Sequence, residues 1–404
     1  MKKGWEVKAL GDICDLIGGG TPSKKNTEFY TGNIPWATIR DLSSDFITAT
    51  DHSITEDALK NSSSNVIPSD NVVIATRVGL GKICLIKQDT AINQDLRGVI
   101  PKKLTTLDVM YLFYWFKSIA EQIVAAGTGA TVQGVKVPFV KSLKIPIPPL
   151  SEQEEIVEVL DKAFAAIDQA KANIEQNIAN AKELFQSKLN QIFSQKGEGW
   201  VETTLGEVIK IKHGFAFKSQ FFTTEGDHVL LTPGNYFEDG GYRDRGSKQK
   251  YYDGEIPDGY ILEKDDLLLA MTEQAAGLLG SPLLVPESNR FLHNQRLGLV
   301  EHISDRKLPN RFLYHAFNTK SFRQAIHDSG TGVKVRHTSP TKICEISSNL
   351  TFDTQIHQDV VRTLEILKTQ TEALEVEYQT KLASLDELKK SILQKAFAGE
   401  LTES

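Results

Sequence analysis

The second half of this chain restates the first about 200 residues later, in the same order, and that duplication constrains the fold more than any other feature. Residues 4–11 read GWEVKALG and residues 199–206 read GWVETTLG, pairing Gly4, Trp5, Leu10 and Gly11 with Gly199, Trp200, Leu205 and Gly206. Asn93-Gln94 with Gly98 returns as Asn294-Gln295 with Gly298, and Gly127-Thr128-Gly129 returns as Gly330-Thr331-Gly332. Each half then closes on a long polar stretch with leucines at helical spacing. One architecture built twice places two similar surfaces about a pseudo-two-fold axis, and duplex DNA is the commonest partner of that symmetry.

Within residues 1–150, short β-rich runs are broken by Gly, Pro, Asn and Asp: 34–39, 71–75 and 82–86 are examples. One amphipathic helix is expected over about 107–126. Leu143-Lys144-Ile145-Pro146-Ile147-Pro148-Pro149-Leu150 must be extended, because each proline disfavours helix in the residue before it. Ser151 with Glu154 has the spacing of a capping box. From there to about Gln195 no Gly or Pro occurs, and Ile156, Leu160, Ala163, Ile167, Ala170, Ile174, Ile178, Ala181, Phe185, Leu189 and Ile192 recur in steps of three or four. The spacing predicts a rod of about 65–70 Å, ended by Gly197 and Gly199.

The second half repeats the plan, with a helix over about 310–327. Its rod spans about 355–398, striped by Val360, Leu364, Leu367, Leu374, Tyr378, Leu382, Leu385, Leu388, Ile392 and Ala396, with Gly399 as the stop. The expected class is α+β: two similar β-rich globules separated by two long helices packed as an antiparallel coiled coil. The domain boundaries read 1–150, 151–197, 198–352 and 353–404. The competing arrangement has each rod packed on its own globule.

Composition adds exclusions. There is no apolar run near 18 residues, so no membrane span is expected, and the Met-Lys-Lys start lacks a secretory h-region. Cys14, Cys84 and Cys344 are too few and too scattered for a disulfide framework or a zinc site, and read as free thiols of a cytoplasmic protein. The net charge of −6 sits in the rods: 8 acidic against 5 basic residues in 151–196, and 10 against 6 in 351–404. The globules are therefore near neutral, which leaves room for local basic patches on either of them.

The motifs resemble the specificity subunit of a type I restriction-modification system over essentially the whole chain. GWEVKALGDI and GWVETTLGEV, GNIPWATIRDL (32–42), IPSDNVVIATR (67–77), INQDLRGV (92–99) and IPIPPLSEQEEIVEVLD (145–161) carry the resemblance, with LKKSILQKAFAGELT (388–402) echoed by LFQSKLNQIFSQ (184–195). The second junction, Leu350-Thr351-Phe352-Asp353-Thr354-Gln355, lacks the Pro-Pro and Glu-Gln pairs, and Thr76-Arg77 aligns loosely with Met271-Thr272. The resemblance implies two target recognition domains, each reading half of a bipartite site in double-stranded DNA. The rods would set the spacer and dock two modification (methyltransferase) subunits, and two restriction (translocase-nuclease) subunits would join them. This chain would hold no cofactor. The modification subunit would bring AdoMet for adenine-N6 methylation, and the restriction subunit ATP with Mg2+, in a phage-defence complex.

The residues themselves agree that the chain is not an enzyme. Pro148-Pro149 has neither the preceding amide nor the following aromatic with which an amino-methyltransferase grips a flipped base. Gly18-Gly19-Gly20-Thr21-Pro22 reads as a loop, no ATP-binding Gly-Lys-Ser/Thr loop is present, and Pro257-Asp258 with Glu263-Lys264 has an acid and a lysine adjacent where a nuclease metal site separates them. The nine histidines show no ligand spacing. A self-contained methyltransferase and a duplicated coiled-coil scaffold binding protein are the alternatives.

Base contacts need Arg, Lys, Asn, Gln, Ser or Thr on loops, and phosphate contacts need cations and backbone N–H groups. The candidates are Thr21, Ser23, Lys24, Lys25, Arg40, Arg77, Gln133 and Lys136 in the first half. In the second they are Tyr242, Arg243, Arg245, Lys248 and Lys250, from a run mixing cations with aromatics, together with Lys334 and Arg336. The alternative for that run is a solvated hairpin. Trp5 and Trp200, at the same place in both repeats, read as core anchors rather than base-stacking platforms.

Overall fold

In the computed structural model, residues 1, 3, 130–132, 196–198, 274–276, 304–307 and 403–404 lie outside the described residues, and Gly197 falls among them. The chain divides into two units, 1–174 with 379–404, and 175–378.

In the first unit the apolar runs form sheets where the sequence places them. Cys14–Gly18, Leu96–Pro101, Val72–Ala75, Ile83–Ile86 and Phe46–Ile47 lie in that order, antiparallel except for the last pair. A second sheet runs His52–Ile54, Ile34–Ala37, Thr90–Ile92, Asn65–Ile67, with Ile34–Ala37 parallel to Thr90–Ile92. Every residue of Val72–Ala75 and Ile83–Ile86 is buried, which is why these strands read as continuous apolar runs. The proline-rich segment is strand Lys144–Ile147, paired with Glu6–Ala9 in a two-stranded ribbon where Pro146 interrupts no further ladder.

The second unit rebuilds this plan from shorter strands. Ile209–His213, Leu297–His302, Leu267–Ala270 and Pro282–Leu284 form the antiparallel sheet. Phe222–Thr223, Tyr251–Tyr252, Val229–Leu230 and Phe291–Leu292 form the other, again with one parallel pair, Val229–Leu230 with Phe291–Leu292. Trp200–Thr204 pairs with Ser347–Thr351 as Glu6–Ala9 pairs with Lys144–Ile147.

The long helices are Leu150–Phe193 and Thr354–Ala398, the latter followed by Gly399 at φ +81°. In the first unit they run antiparallel, because Lys389 reaches Asp168 at 3.1 Å and Lys171 bonds Asp386. In the second unit Lys182 lies 3.4 Å from Glu375. Both sequence readings of the rods hold in part, since the helix ends also enter the globules. Ile156, Leu160, Phe164 and Ile167, with Leu393 and Ala396, share one core with Trp5, Tyr111 and Trp115. Leu189, Ile192, Phe193, Val360 and Leu364 share another with Phe312 and Phe317. Trp5 is buried, and Trp200 packs edge-on against Phe193 at 5.8 Å, so both anchor cores.

Several local expectations need correction. The first long helix begins at Leu150, one residue early. Pro149 O accepts from Glu152 N and Gln153 N, so Ser151 is already helical and no capping box forms with Glu154. The helix expected over 107–126 breaks at Ile119 into Val109–Ser118 and Ala120–Ala125. That over 310–327 breaks into Asn310–Phe317 and Lys320–Ser329, because the Thr319 side chain caps a fresh N-terminus by accepting from Phe322 N. Leu374 and Leu388 are exposed at 40% and 47% instead of lying in the stripe. Leu388 sits roughly 90–100° around the helix from the face set by Leu385, Leu393 and Ala396.

Burial fixes several charge states. It pushes the Cys14 thiol up to about 12 and Cys84 up to about 11, keeping both protonated. Burial lowers His293 to about 4, and burial with the charges of Lys368 and Arg311 lowers His315 to about 4. Both rings are neutral when folded, whereas the unfolded chain takes up protons near pH 6.5, so stability rises with pH across that window. The second unit should lose roughly 1–2 kcal/mol per ring between pH 7 and pH 5. Urea unfolding at the two pH values measures this, and the pH dependence should be shallower in His293→Gln.

Candidate nucleic-acid interface

In each half three loops are bolted together at the end of a central strand. In the first, Thr76 follows strand Val72–Ala75. Its N–H donates to Asp95 O at 2.8 Å and its carbonyl accepts from Val135 N at 2.9 Å. In the second, Met271 follows Leu267–Ala270, donates to Arg296 O at 2.9 Å and accepts from Thr338 N at 3.0 Å. The Gly-Thr-Gly triplets open matching hairpins, closed by paired backbone bonds between Thr128 and Gly134 and between Thr331 and His337.

The middle loop is an Asx turn in both halves. Asn93 Oδ1 accepts from Asp95 N at 3.0 Å, and Asn294 Oδ1 accepts from Arg296 N at 3.1 Å; both asparagines are 5% exposed. Gly19 and Gly214 press against these turns. A Cβ on Gly19 would stand 2.2 Å from Ile92 O, and one on Gly214 would stand 2.0 Å from Asn294 O, so only glycine permits the approach. The first glycine cluster is thus a packing loop, as its sequence suggested.

The structure brings several sequence candidates to this junction. Thr21 donates its hydroxyl to Gln94 Oε1, and exposed Arg77 places Nε 3.7 Å from Asp95 Oδ1. Gln133 is exposed on the hairpin and Lys136 just before helix Val137–Ser142. Ser23, Lys24 and Lys25 are exposed on the loop leaving Gly20, whose N–H is bonded to Ile92 O at 3.0 Å. Arg40 is exposed three residues beyond Ala37, the residue whose carbonyl holds Asn93 N at 3.0 Å.

In the second half, the cation–aromatic run is a loop containing a single 3-10 turn, Gly246–Lys248, before strand Tyr251–Tyr252. Asn235, 1% exposed, organises it: its amide donates to Gln249 Oε1 at 2.8 Å, and its carbonyl accepts from Arg243 N at 2.7 Å. The Tyr242 ring packs edge-on to Phe291 at 5.2 Å, and Lys250 lies 5.6 Å from the Phe222 ring. Arg243, Lys248 and Lys250 are exposed, while Arg245 is half-buried over Gly234. On the hairpin Lys334 is exposed. Arg336 is turned inward, its guanidinium bonded to the His327 ring and to the carbonyls of His327 and Gly330.

The sequence candidates omit Gln94, Gln295 and Arg296, all of which occupy the turn. Arg296 stands where the first half has Asp95, and Thr272 stands where it has Arg77, so across these two positions each half carries one arginine. The repeat of Asn-Gln was the available signal.

Replacing Arg243 and Arg245 together by alanine should weaken duplex binding and lower the slope of log affinity against log salt by about one for each phosphate no longer neutralised. The loop itself should persist, since Asn235 holds Arg243 through its backbone. Unchanged affinity and slope would remove this loop from the interface.

A duplicated pair of mixed-sheet globules, each sharing its core with the ends of two long antiparallel helices, is a distinct architectural class, and solved structures share it. One chain, from a study titled as the structural basis of complex assembly and conformational transition of the type I R-M system, superposes with TM-score 0.78 at 19% identity, covering 99% of both chains. The HsdS subunit from Thermoanaerobacter tengcongensis superposes with TM-score 0.61 at 18% identity, covering 99% and 98%.

Residues 2–180 match the family described as type I restriction modification DNA specificity domain. Among curated relatives, the MjaIX specificity subunit of Methanocaldococcus jannaschii is 30% identical over 53% of this chain and 54% of its own length. The EcoR124I/EcoR124II specificity subunit of Escherichia coli is 37% identical over 39% and 40%. These two matches thus span about half or less of the relatives they match. The StySPI specificity subunit of Salmonella potsdam is 25% identical over 100% of this chain and 90% of its own. By sequence, residues 2–180 match that specificity domain, and over its whole length the chain shares the fold of these solved structures.

Proposed function

We propose that this chain is the sequence-reading subunit of a type I restriction-modification complex in the cytoplasm. Each globule reads one half of a bipartite site in double-stranded DNA, the domain boundaries follow 1–150, 151–197, 198–352 and 353–404, and the helices set the spacer and dock two modification subunits. The chain itself is non-catalytic. Methyl transfer from AdoMet to adenine N6 and ATP- and Mg2+-dependent cleavage belong to the modification and restriction partners.

The observation that carries this reading is the doubled three-loop junction, with the same hydrogen bonds within 0.1 Å at Thr76 and at Met271. A rigid strand end holding three loops against one another presents side chains in fixed register, which is what base-edge recognition requires. A scaffold that binds protein has no need of two such equivalent loop clusters.

The test is methylation mapping after co-expressing the chain with its modification subunit in a host without other methylases. Methyladenine confined to one bipartite motif, and lost when this chain is omitted, is the expected result. A folded complex with an active modification partner and no motif would overturn it in favour of the protein-binding scaffold.

A further inference from the structure

We infer that Gln94 and Gln295 are one base-reading residue used twice, each reading an adenine edge in its own half-site. This assignment rests on the DNA-reading role proposed above and adds to it the residue and the base chemistry.

In both halves the buried asparagine spends its side chain on the turn: Asn93 Oδ1 holds Asp95 N and its amide nitrogen reaches Asp95 Oδ2 at 3.1 Å, while Asn294 Oδ1 holds Arg296 N. The turn closes through Leu96 N to Asn93 O at 3.3 Å and Leu297 N to Asn294 O at 3.0 Å. The residue after each asparagine is thereby thrown outward, and it is glutamine both times, exposed both times. The turn also cannot drift. Its far end is tied to the strand through Asp95 O or Arg296 O, and its near end is pressed by Gly19 or Gly214.

Position and chemistry then coincide. On the Asx turn itself, Gln94 and Gln295 are the exposed polar side chain shared by both halves, whereas the next position changes sign from Asp95 to Arg296; the hairpins share exposed Thr128 and Thr331, whose backbones close them, but differ at Gln133 and Arg336. A glutamine amide presents an acceptor and a donor side by side, the pattern that matches adenine N6 and N7 in the major groove. In the first half Thr21 donates to Gln94 Oε1, which orients the amide while leaving both N–H groups and one oxygen lone pair to face outward. In the second half Gln295 N donates to Phe215 O at 3.0 Å, fixing the backbone from which the side chain projects. Exposed Arg296 follows Gln295 directly in the chain, and exposed Arg77 lies 3.7 Å from Asp95, the residue after Gln94, so each glutamine has a cation near it in the turn region.

The experiment uses the complex of the full chain with its modification subunit, assayed by methylation mapping and by binding to duplexes carrying every single-base change in the motif. Gln94→Ala should flatten the preference at one adenine of one half-site and weaken cognate binding roughly 10- to 100-fold. Gln295→Ala should do the same at the corresponding adenine of the other half-site. Neither should change the salt slope or the melting temperature, because an exposed base contact neither releases counterions nor supports the fold. Gln94→Glu keeps the acceptor for Thr21 but removes the amide donors, and should move the preference at that position toward cytosine, whose N4 amine donates.

A wild-type complex that reads its motif while both alanine variants keep every preference would overturn this assignment and leave the reading role standing. So would a uniform loss of affinity with preferences intact, which marks a structural role. A wild-type complex with no sequence preference would overturn both.

Discussion

Replacing Gln153 by alanine should lower the stability of the first unit by about 2–4 kcal/mol. Gln153 is fully buried at the start of the first long helix. Its Oε1 accepts from Asp108 N at 2.9 Å, and its Nε2 donates to Thr106 O at 3.0 Å and Pro148 O at 2.9 Å. Alanine removes the partner of three backbone groups, the fully buried Pro148 carbonyl and the part-buried Asp108 N–H and Thr106 carbonyl, and the orphan shut away from water is the costliest. Asp108 caps helix Val109–Ser118, so the loss also loosens the entry to that helix. Urea unfolding followed by the fluorescence of Trp5 and Trp115, both in the core of this unit, measures the effect. Gln153→Glu separates the causes. It keeps one acceptor, removes both donors, and turns its charge against two carbonyls, so its stability should fall as pH rises and the carboxyl ionises. An unchanged midpoint in both variants would mean that these bonds contribute nothing net.

This residue also shows what the proline-rich junction is for. Pro146 sits in a strand ribbon, Pro149 O receives the first helical N–H groups, and Gln153 ties down the 106–108 loop. Glu152 accepts from Trp5 Nε1 at 3.1 Å, Lys2 Nζ at 2.7 Å and Thr402 Oγ1 at 2.8 Å, gathering both chain ends of the unit. A motif that read as a family signature is, physically, a knot of backbone satisfaction. The second junction lacks Glu-Gln, and there His357 takes a comparable place, buried and bonded through Nε2 to Thr351 O at 2.7 Å.

The parts of the fold legible in the sequence are those set by periodicity over many residues. The helix Leu150–Phe193 was expected over 151 to about 195, and Thr354–Ala398 over about 355–398. The buried strands at 72–75 and 83–86 announced themselves as unbroken apolar runs. What was lost depended on single residues acting at a distance. Ile119 and Thr319 break helices whose apolar pattern continues across the break. The entry of the helix ends into the globule cores is a tertiary choice that a stripe of leucines does not encode.

At the candidate interface, composition selected cations and missed what holds them. Arg336 has the right chemistry for a phosphate, yet its guanidinium is spent on His327 and Gly330. Gln94 and Gln295 were visible as a repeat but became candidates only once the Asx turn put them outside and the asparagines inside.

Shortening both long helices by seven residues should shift the preferred spacer without changing either half-site, if the proposed function holds. The ion pairs Lys171–Asp386, in the first unit, and Lys182–Glu375, in the second, bracket ten residues on each helix, so equal deletions keep the register. Removing 172–178 and 379–385 takes about 10 Å from each rod and restores nearly the same helix face, as a heptad does. At 3.4 Å per base pair the optimal spacer should fall by roughly three base pairs. Methylation of the original spacing should drop on the order of 100-fold, since an ångström-scale misplacement of a reacting group already costs that much. Removing 172–178 alone should behave differently. It breaks the pairing of Lys171 with Asp386 relative to Lys182 with Glu375, so it should destabilise the rods and give no new optimum. Methylation mapped on duplexes with stepped spacers reads both outcomes, and changed half-site bases or an unmoved optimum in the double deletion would show that the helices do not measure the distance between the sites.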